Sequence, residues 1–250
     1  MSSMIKVAGL TMGWDALVLL ENASFEVARG DIFVIVGASG CGKSTLLRHL
    51  IGLEPPKSGT IEIEGVKGSY LEVGRPPFGV TFQSGALFGS MSVGENLALP
   101  LNEWTTLPQE AVNAIVRAKL RLVGLHHAEN MLPSELSGGM KKRAAIARAM
   151  VLEPELLFLD EPSAGLDPVS SFELDELLLS LNKALGLTVV LVSHELESIF
   201  TIATSCIMLD RSSKSIIARG DPKVLRDTSK DPLVSAFFNR RAPRPEGGTP

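Results

Sequence analysis

Two kinds of hydrophobic pattern predict strands along the chain. Residues 4–36 alternate between apolar and polar positions as strands do, with a turn at residues 29–31. Residues 60–64 show the same period of two, which predicts a half-exposed antiparallel strand. By contrast, residues 32–36 and 156–159 are apolar throughout, which is typical of strands buried on both faces. The pattern therefore predicts an antiparallel part and a buried sheet in one chain.

Helical spacing appears between these strands. Residues 45–51 repeat apolar side chains at helical intervals, and Gly52 ends the repeat. Apolar residues recur four apart over residues 111–123, between Pro108 at the start and Gly124 at the end. After residue 151 strands and helices alternate again, so the chain is predicted to be an α/β protein.

The junction between the strand at 32–36 and the following helix carries the first chemical signal. Residues 37–45 read GASGCGKST and match the P-loop pattern G-x-x-x-x-G-K-[ST] in full. Glycines there let backbone N–H groups converge on phosphate oxygens, and the helix N-terminus adds partial positive charge. Lys43 is expected to reach the β and γ phosphates of a nucleotide, and Ser44 to ligate Mg²⁺. The candidate nucleotide-binding residues are Gly37, Ser39, Gly40, Cys41, Gly42, Lys43, Ser44 and Thr45.

A second candidate element lies far along the chain, where the apolar strand at 156–159 ends in two acids. Asp160 is predicted to hold Mg²⁺, and Glu161 to polarise a water molecule for attack on phosphate. Acids that only solvate a strand end would look the same in isolation. Together with a complete P-loop, the phosphate-handling interpretation is favoured.

The sequence LSGGMK at residues 136–141 resembles the signature of the ABC-type ATPases, and the resemblance covers about residues 4–225. Further positions match that family's motifs in order: Trp14 for adenine stacking, Gln83 of the Q-loop, Asp167 of the D-loop in residues 163–167, and His194 of the switch. The resemblance implies a P-loop NTPase core of ABC-ATPase type, with an antiparallel β subdomain and an inserted α-helical subdomain. It also implies ATP and Mg²⁺ as cofactors, with Gln83 and Asp160 near the metal and Glu161, His194 and Gln83 serving hydrolysis.

The signature segment has its own physical logic. Ser137 is suited to cap the helix that follows, and Gly138 and Gly139 expose backbone N–H groups at its start. Residues 141–143 are basic, which the helix dipole disfavours in the first turns of a helix. Either an anion docks there or these side chains point to solvent. The resemblance implies that the anion is the γ phosphate of ATP held by a second copy, so that two copies form a head-to-tail homodimer.

The motifs divide the chain into four predicted parts. Residues 1–83 hold the P-loop and the antiparallel strands, residues 84–150 the helical signature subdomain, and residues 151–235 the rest of the ATPase core. Residues 236–250 form a C-terminal tail, and the composition from Ala242 onwards predicts that its last part is flexible.

Composition narrows the function classes. The net charge is −4, which implies no general affinity for nucleic acid. No apolar run is long enough to span a bilayer, and the first 30 residues do not resemble a signal peptide. With only two cysteines, Cys41 and Cys206, a disulfide framework is not expected. The mean hydropathy of +0.22 is explained equally well by a large core or by surface that partners cover.

Three stretches resemble the Mla/Mce lipid-transport branch of the family, namely residues 82–88, 193–200 and 231–238. This resemblance implies a peripheral ATPase at the cytoplasmic face of the inner membrane that drives phospholipid transport. Its implied partners are a membrane permease, an Mce-type lipid-binding protein and, in some systems, a STAS-domain subunit. The alternatives are the ATPase of another importer for a small polar solute and an ABC-type ATPase without a transporter. The apolar residues Ala86, Leu87 and Phe88 are explained equally by a groove for a partner helix and by the start of the helical subdomain.

Overall fold

The computed structural model describes residues 2–67 and 74–241. It forms two compact units. The first unit comprises Met1–Gly68 and Val192–Pro250, and the second comprises Ser69–Leu191. The P-loop and the switch histidine therefore belong to the first unit, and the Q-loop, the signature and Glu161 belong to the second.

The elements follow the predicted alternation of strands and helices. The first half of the chain contains β1 (Ser3–Trp14), β2 (Leu17–Ala28), β3 (Ile32–Gly37), α1 (Lys43–Leu50), β4 (Ser58–Ile63), β5 (Val66–Lys67), β6 (Phe78–Thr81), α2 (Val93–Trp104) and α3 (Gln109–Leu122). The second half contains a short 3-10 helix (Pro133–Glu135), α4 (Gly138–Ala149), β7 (Leu156–Asp160), α5 (Pro168–Leu185), β8 (Thr188–Val192), α6 (Leu196–Ile202), β9 (Ser205–Asp210), β10 (Ser215–Gly220), α7 (Pro222–Thr228) and α8 (Pro232–Phe238).

The first unit contains the antiparallel sheet that the alternation predicts. Its strand order is β2-β1-β4-β5, and Val7 of β1 lies between Phe25 of β2 and Ile61 of β4. In the same unit β3, β9 and β10 are neighbours, with β3 parallel to β9 and β9 antiparallel to β10. All six residues of β3 are buried, which confirms the reading of its uniformly apolar sequence.

In the second unit β6 and β7 run parallel, and Thr81 pairs with Leu159 near their carboxyl ends. Helix α4 packs closely against β6 at Gly79. A Cβ at Gly79 would lie 2.3 Å from the carbonyl oxygen of Ala149, so only glycine permits this approach. The close packing matters because α4 begins at the signature and β7 ends at Asp160.

Helices α2, α3 and α4 share one hydrophobic core. Val112, Val116 and Leu120 of α3 are buried in it, as their four-residue spacing predicts. Pro108 is the N-cap of α3, and Gly124 follows its end with φ +72°, which confirms both predicted boundaries. The four-part division of the chain nevertheless stays a prediction.

The C-terminal region is helical for longer than the composition of the tail indicates. Helix α8 runs to Phe238 and so crosses the predicted boundary at residue 235. Phe238 is buried, and its ring meets those of Phe200 and Phe237, which explains why the helix continues. The predicted flexible segment from Ala242 lies outside the described residues. Among residues 2–67 and 74–241, no helix has the length and apolar character needed to cross a membrane.

Candidate nucleotide site

The P-loop joins β3 to α1 in the predicted strand–loop–helix order. Gly37 ends the strand with φ +145°, and a Cβ there would stand 2.5 Å from the carbonyl oxygen of Leu209 and 2.7 Å from the sulfur of Cys41. Gly42 is the N-cap of α1 with φ +101°, and no side chain caps the helix. Both positions require glycine because other residues rarely adopt such dihedrals. The start of α1 therefore has no capping side chain, which suits it to binding an anion.

The amine of Lys43 is enclosed by the backbone of the P-loop. Its Nζ donates hydrogen bonds to the carbonyl oxygens of Gly37 at 2.9 Å and Ala38 at 3.1 Å, and the residue is 8% exposed. The loop backbone thus holds a cation beside the start of α1. Ser39 and Gly40 are exposed at the crest of the loop, Ser44 is half-buried and Thr45 is buried.

Cys41 and Cys206 are both free thiols, as the sequence predicts. Burial raises the pKa of the Cys41 thiol above its ordinary value, while the charge of Lys43 acts in the opposite direction. Burial also raises the pKa of Cys206, to about 12. A protonated, buried thiol is a poor nucleophile, so Cys41 serves the loop as a small packing residue.

Trp14 lies at the end of β1 and is 46% exposed. The same strand touches the P-loop, because a Cβ at Gly42 would stand 3.1 Å from Cε of Met12. The turn after Trp14 is held by Lys57, whose Nζ donates to the carbonyl oxygens of Asp15 and Leu17. An exposed indole on a strand that reaches the loop is compatible with the predicted stacking on adenine.

His194 follows β8 and is exposed. The preceding residue, Ser193, donates its backbone N–H to the carbonyl oxygen of Ile35 in β3 at 3.5 Å, and its hydroxyl oxygen accepts from the N–H of Glu195 at 3.1 Å. His194 is thus attached to the strand that leads into the P-loop. The first unit brings together the P-loop, the strand of Trp14 and the segment of His194.

In the second unit the parallel strands β6 and β7 end at the same edge, which brings Gln83 to the two predicted acids. Asp160 is the last residue of β7, and Glu161 follows it. Nε2 of Gln83 donates to Oε2 of Glu161 at 3.5 Å. Glu161 has φ +47°, a left-handed backbone that is uncommon for residues other than glycine.

The signature occupies the start of α4, as predicted. Ser137 is its N-cap, and its hydroxyl oxygen accepts from the N–H of Met140 at 3.2 Å. The two signature glycines face the D-loop and the first turn of α5 in the same chain. A Cβ at Gly138 would stand 3.3 Å from Leu166, and one at Gly139 would stand 3.4 Å from Ser170.

Asp167 is the N-cap of α5. Its carboxylate accepts from the hydroxyl of Ser170 at 2.6 Å and from the N–H groups of Val169 and Ser170, both at 3.0 Å. These hydrogen bonds, that of the Ser170 hydroxyl first, lower the pKa of Asp167 below its ordinary value. The carboxylate therefore remains charged at neutral pH at the point where the D-loop meets the signature.

Two basic residues of α4 form contacts that sequence reasoning missed. The sequence left open whether the basic residues at 141–143 meet an anion or solvent. Lys142 instead donates from Nζ to the carbonyl oxygens of Gln83 at 2.6 Å and Glu161 at 3.2 Å. Arg148 donates to the carbonyl oxygens of Ala86 at 2.7 Å and Gly85 at 3.1 Å. For Lys142 the only signal was a basic residue near a disfavoured helix start, and that signal does not identify distant carbonyl partners. Arg148 lies in the last turn of α4 and gave no signal.

Comparison with known proteins places these features in a wider context. The family model described as ABC transporter matches residues 20–164. The chain is 40% identical over 248 residues to the probable ribonucleotide transport ATP-binding protein mkl of Mycobacterium leprae, covering 97% of this chain and 71% of that protein. It is 42% identical over 232 residues to the intermembrane phospholipid transport system ATP-binding protein MlaF of Escherichia coli K12, covering 91% and 85%.

Solved structures give the same picture of the fold. CbiO1 from Clostridium perfringens, part of the ABC transporter complex cbiONQ, superposes with a TM-score of 0.81 at 30% identity, covering 88% of this chain and 89% of that one. The ATP-binding cassette MJ0796, solved as a dimer in a post-hydrolysis state with ADP and Pi, superposes with a TM-score of 0.77 at 28% identity, covering 87% and 98%.

Proposed function

The chain belongs to the ABC transporter family, and from that premise we propose that it is the ATP-hydrolysing motor subunit of a transporter for phospholipid. The observation that carries the proposal is the 42% identity to a phospholipid transport ATP-binding protein over 91% of this chain. The three stretches that resemble the Mla/Mce branch support the same assignment.

The residues of the P-loop fit ATP. Gly37 and Gly42 give the loop dihedrals that other residues rarely adopt, the start of α1 lacks a side-chain cap, and Lys43 supplies a cation for the phosphates. Ser44, Gln83 and Asp160 offer the oxygen donors that Mg²⁺ prefers. Mg²⁺, when bound, neutralises charge on the phosphates during transfer.

Glu161 serves as the group that orients and polarises the attacking water. Its carboxylate lies 3.5 Å from the amide nitrogen of Gln83, which gives the pair a common position at the end of β7. His194 serves as the second polar contact to the γ phosphate, because a neutral imidazole both donates and accepts. Trp14 stacks on the adenine.

Two copies of the chain are needed for complete sites. Ser137, Gly138 and Gly139 bind the γ phosphate of ATP held by the other copy, and Asp167 lies beside them. The dimeric MJ0796 cassette supports a dimer of this kind. ATP then joins the two copies, and hydrolysis releases them.

The motor acts with membrane partners. A permease receives the motion and an Mce-type protein carries the lipid, with the ATPase at the cytoplasmic face of the inner membrane. A STAS-domain subunit joins the complex in some systems of this branch. A second candidate function follows from the name of the mycobacterial relative, which is that of a ribonucleotide transport protein. The two candidates differ in cargo and share the same ATPase chemistry.

Co-purification from native membrane tests the cargo. The chain is tagged, the complex is extracted in mild detergent, and bound lipid and nucleotide are measured by mass spectrometry. The phospholipid proposal predicts a multi-spanning permease, bound phospholipid and ATPase activity that depends on the lipid. A complex without lipid, whose ATPase activity rises with added ribonucleotides, would favour the second candidate.

Substitution of Glu161 tests the chemistry separately from the cargo. Glu161→Gln keeps the backbone contacts and should retain ATP binding while hydrolysis falls by about two orders of magnitude or more. It should also trap a dimer in ATP and Mg²⁺, visible by size-exclusion chromatography. Glu176→Gln, at an exposed position of α5, is the control and should hydrolyse ATP normally. Near-normal turnover in Glu161→Gln would refute the catalytic assignment.

A further inference from the structure

Lys142 is a basic residue near the start of α4 that the proposed chemistry does not use. We infer that it is a positioning residue for ATP hydrolysis, because its ammonium holds Gln83 and Glu161 together through their backbone carbonyls. The inference rests on the proposed role of Glu161. It gives the start of α4 a function inside its own chain, in addition to any contact with a second copy.

The contacts join three segments that are distant in sequence. Nζ of Lys142 lies 2.6 Å from the carbonyl oxygen of Gln83, 59 residues away, and 3.2 Å from that of Glu161, 19 residues away. An ammonium has three N–H donors, so it can serve both oxygens at once. Hydrogen bonds from a charged donor are shorter and stronger than those between neutral groups. The hydrogen bond to Gln83 is exposed to solvent, whereas the one to Glu161 is partly buried.

The backbone of Glu161 is the part of the site that most needs to be held. Its φ of +47° is uncommon for a residue with a side chain, and such conformations persist only where the surroundings enforce them. Two donors converge on its carbonyl oxygen, namely Nζ of Lys142 and the N–H of Ala164 at 3.2 Å. Because the backbone dihedrals determine the direction of the Cα–Cβ bond, holding this carbonyl orients the carboxylate.

Gln83 is held by the same ammonium. Its side-chain amide reaches the Glu161 carboxylate at 3.5 Å, a long hydrogen bond that cannot fix the geometry by itself. The shared Lys142 contact to the two backbones sets that separation instead. Arg148 supports the arrangement by holding Gly85 and Ala86, but it does not reach Glu161. Lys142 is therefore the residue of α4 that links the Q-loop to the proposed catalytic acid.

Single-turnover hydrolysis with excess protein tests this role in the full chain. Lys142→Met removes the charge and the donors at similar length, and its rate should fall about tenfold to a hundredfold, as expected when a reacting group is misplaced. ATP affinity should change by less than about threefold, because the P-loop lies elsewhere in the sequence. Lys142→Arg keeps a charged donor and should recover most of the rate. Arg117→Met, which alters an exposed cation of α3, should behave as wild type.

The pattern of these readouts separates positioning from folding. If Lys142 only stabilised the chain, Lys142→Met would lower the melting temperature and the ATP affinity together, and that result would overturn the inference. Should Lys142→Met fail to fold, Lys142→Gln supplies a neutral donor of shorter length and should give a rate between those of the Arg variant and background. A wild-type rate in either neutral variant would also overturn the inference.

A double-substitution cycle distinguishes failure of this inference from failure of the catalytic assignment. If Lys142 acts through Glu161, adding Lys142→Met to the Glu161→Gln chain should slow hydrolysis by less than about twofold, since coupled residues are not additive. Full additivity, with Glu161→Gln alone slowed by about two orders of magnitude, would overturn only the role of Lys142. An active Glu161→Gln chain would overturn the catalytic assignment, and the inference with it.

Discussion

Helices α1 and α4 both begin at a segment that the sequence assigns to phosphate, yet they begin in different ways. Gly42 opens α1 in a left-handed conformation without a side-chain cap, and Lys43 bonds to carbonyls of its own loop. Ser137 caps α4 through its hydroxyl, and Lys142 bonds to carbonyls 59 and 19 residues away. The start of α1 is a local structure, whereas the start of α4 is assembled from distant segments.

This difference indicates a division of labour. A self-contained loop with uncapped N–H groups is suited to binding a nucleotide. A helix start that holds the Q-loop and Glu161 is suited to controlling hydrolysis. Substitutions at α1 should therefore change affinity first, and substitutions at α4 should change turnover first.

The largest effect is expected at α1. Lys43→Ala removes the cation of the P-loop and should weaken ATP binding by about a hundredfold or more, because a charged hydrogen bond to phosphate is lost. Equilibrium binding of a fluorescent ATP analogue measures the change. Arg48→Ala is the matched control, since Arg48 is an exposed cation of the same helix that pairs with Glu54 at 3.3 Å. A comparable loss of ATP affinity in Lys43→Ala and Arg48→Ala would contradict a specific role of Lys43 in nucleotide binding.

The next effect is expected at residues 86–88, which the sequence left open between a groove for a partner helix and the start of the helical subdomain. Leu87 is half-buried against the hydrophobic core of α2, α3 and α4, whereas Phe88 is 52% exposed. Leu87→Asp should therefore lower the free energy of unfolding by about 2–5 kcal/mol, because a charge enters an apolar site. Phe88→Asp should cost less than about 0.5 kcal/mol, as surface changes do. Urea unfolding measures both values.

The same pair tests the partner surface. Phe88→Asp should release the permease while ATP binding stays intact, because Phe88 remains exposed for a partner helix. Co-purification with the membrane subunit reads this out. A folded Phe88→Asp chain that retains the permease would show that the exposed part of the segment does not couple to the membrane.

Removal of the N-cap of α4 should have a smaller effect on stability. Ser137→Ala should destabilise the chain by about 1 kcal/mol, the usual cost of losing a capping hydroxyl. Ser92→Ala is the control, because the Ser92 hydroxyl oxygen also caps its helix, by accepting from the N–H of Glu95 at 3.2 Å within a capping box. Equal losses in melting temperature are expected, with slower hydrolysis only in Ser137→Ala. Equal hydrolysis rates in the two variants would show that Ser137 only caps α4 and has no part in hydrolysis.

The smallest effect is expected for the thiol reactivity of Cys41, which lies in the loop that leads into α1. Burial raises the pKa of this thiol, so its thiolate fraction at pH 7 to 8 is lower than that of an ordinary cysteine. Maleimide labelling of the folded chain should be slow in that range, and unfolding in urea should make both cysteines react. Rapid labelling of Cys41 in the folded chain would contradict the buried, protonated state.

Sequence reasoning was most successful where structure is local. It predicted β3, the P-loop, the start of α1, the ends of α3 and the Ser137 cap, because each depends on residues within a few positions. It could not find the partners of Lys142 and Arg148, since carbonyl groups carry no sequence signature and the pairs are up to 63 residues apart. It also treated residues 86–88 as one unit, whereas the backbone directs Leu87 and Phe88 to different environments.

The most direct test of the central claim mixes two damaged chains. If α1 of one copy and α4 of the other serve the same ATP, Lys43→Ala and Ser137→Arg each disable a homodimer. Exchange of tagged subunits at equal amounts makes half of the dimers mixed, and each mixed dimer has one intact site. The account predicts single-turnover hydrolysis at about a quarter of the wild-type amplitude. A Ser137→Arg homodimer with full activity, or a verified mixture no more active than its components, would contradict it.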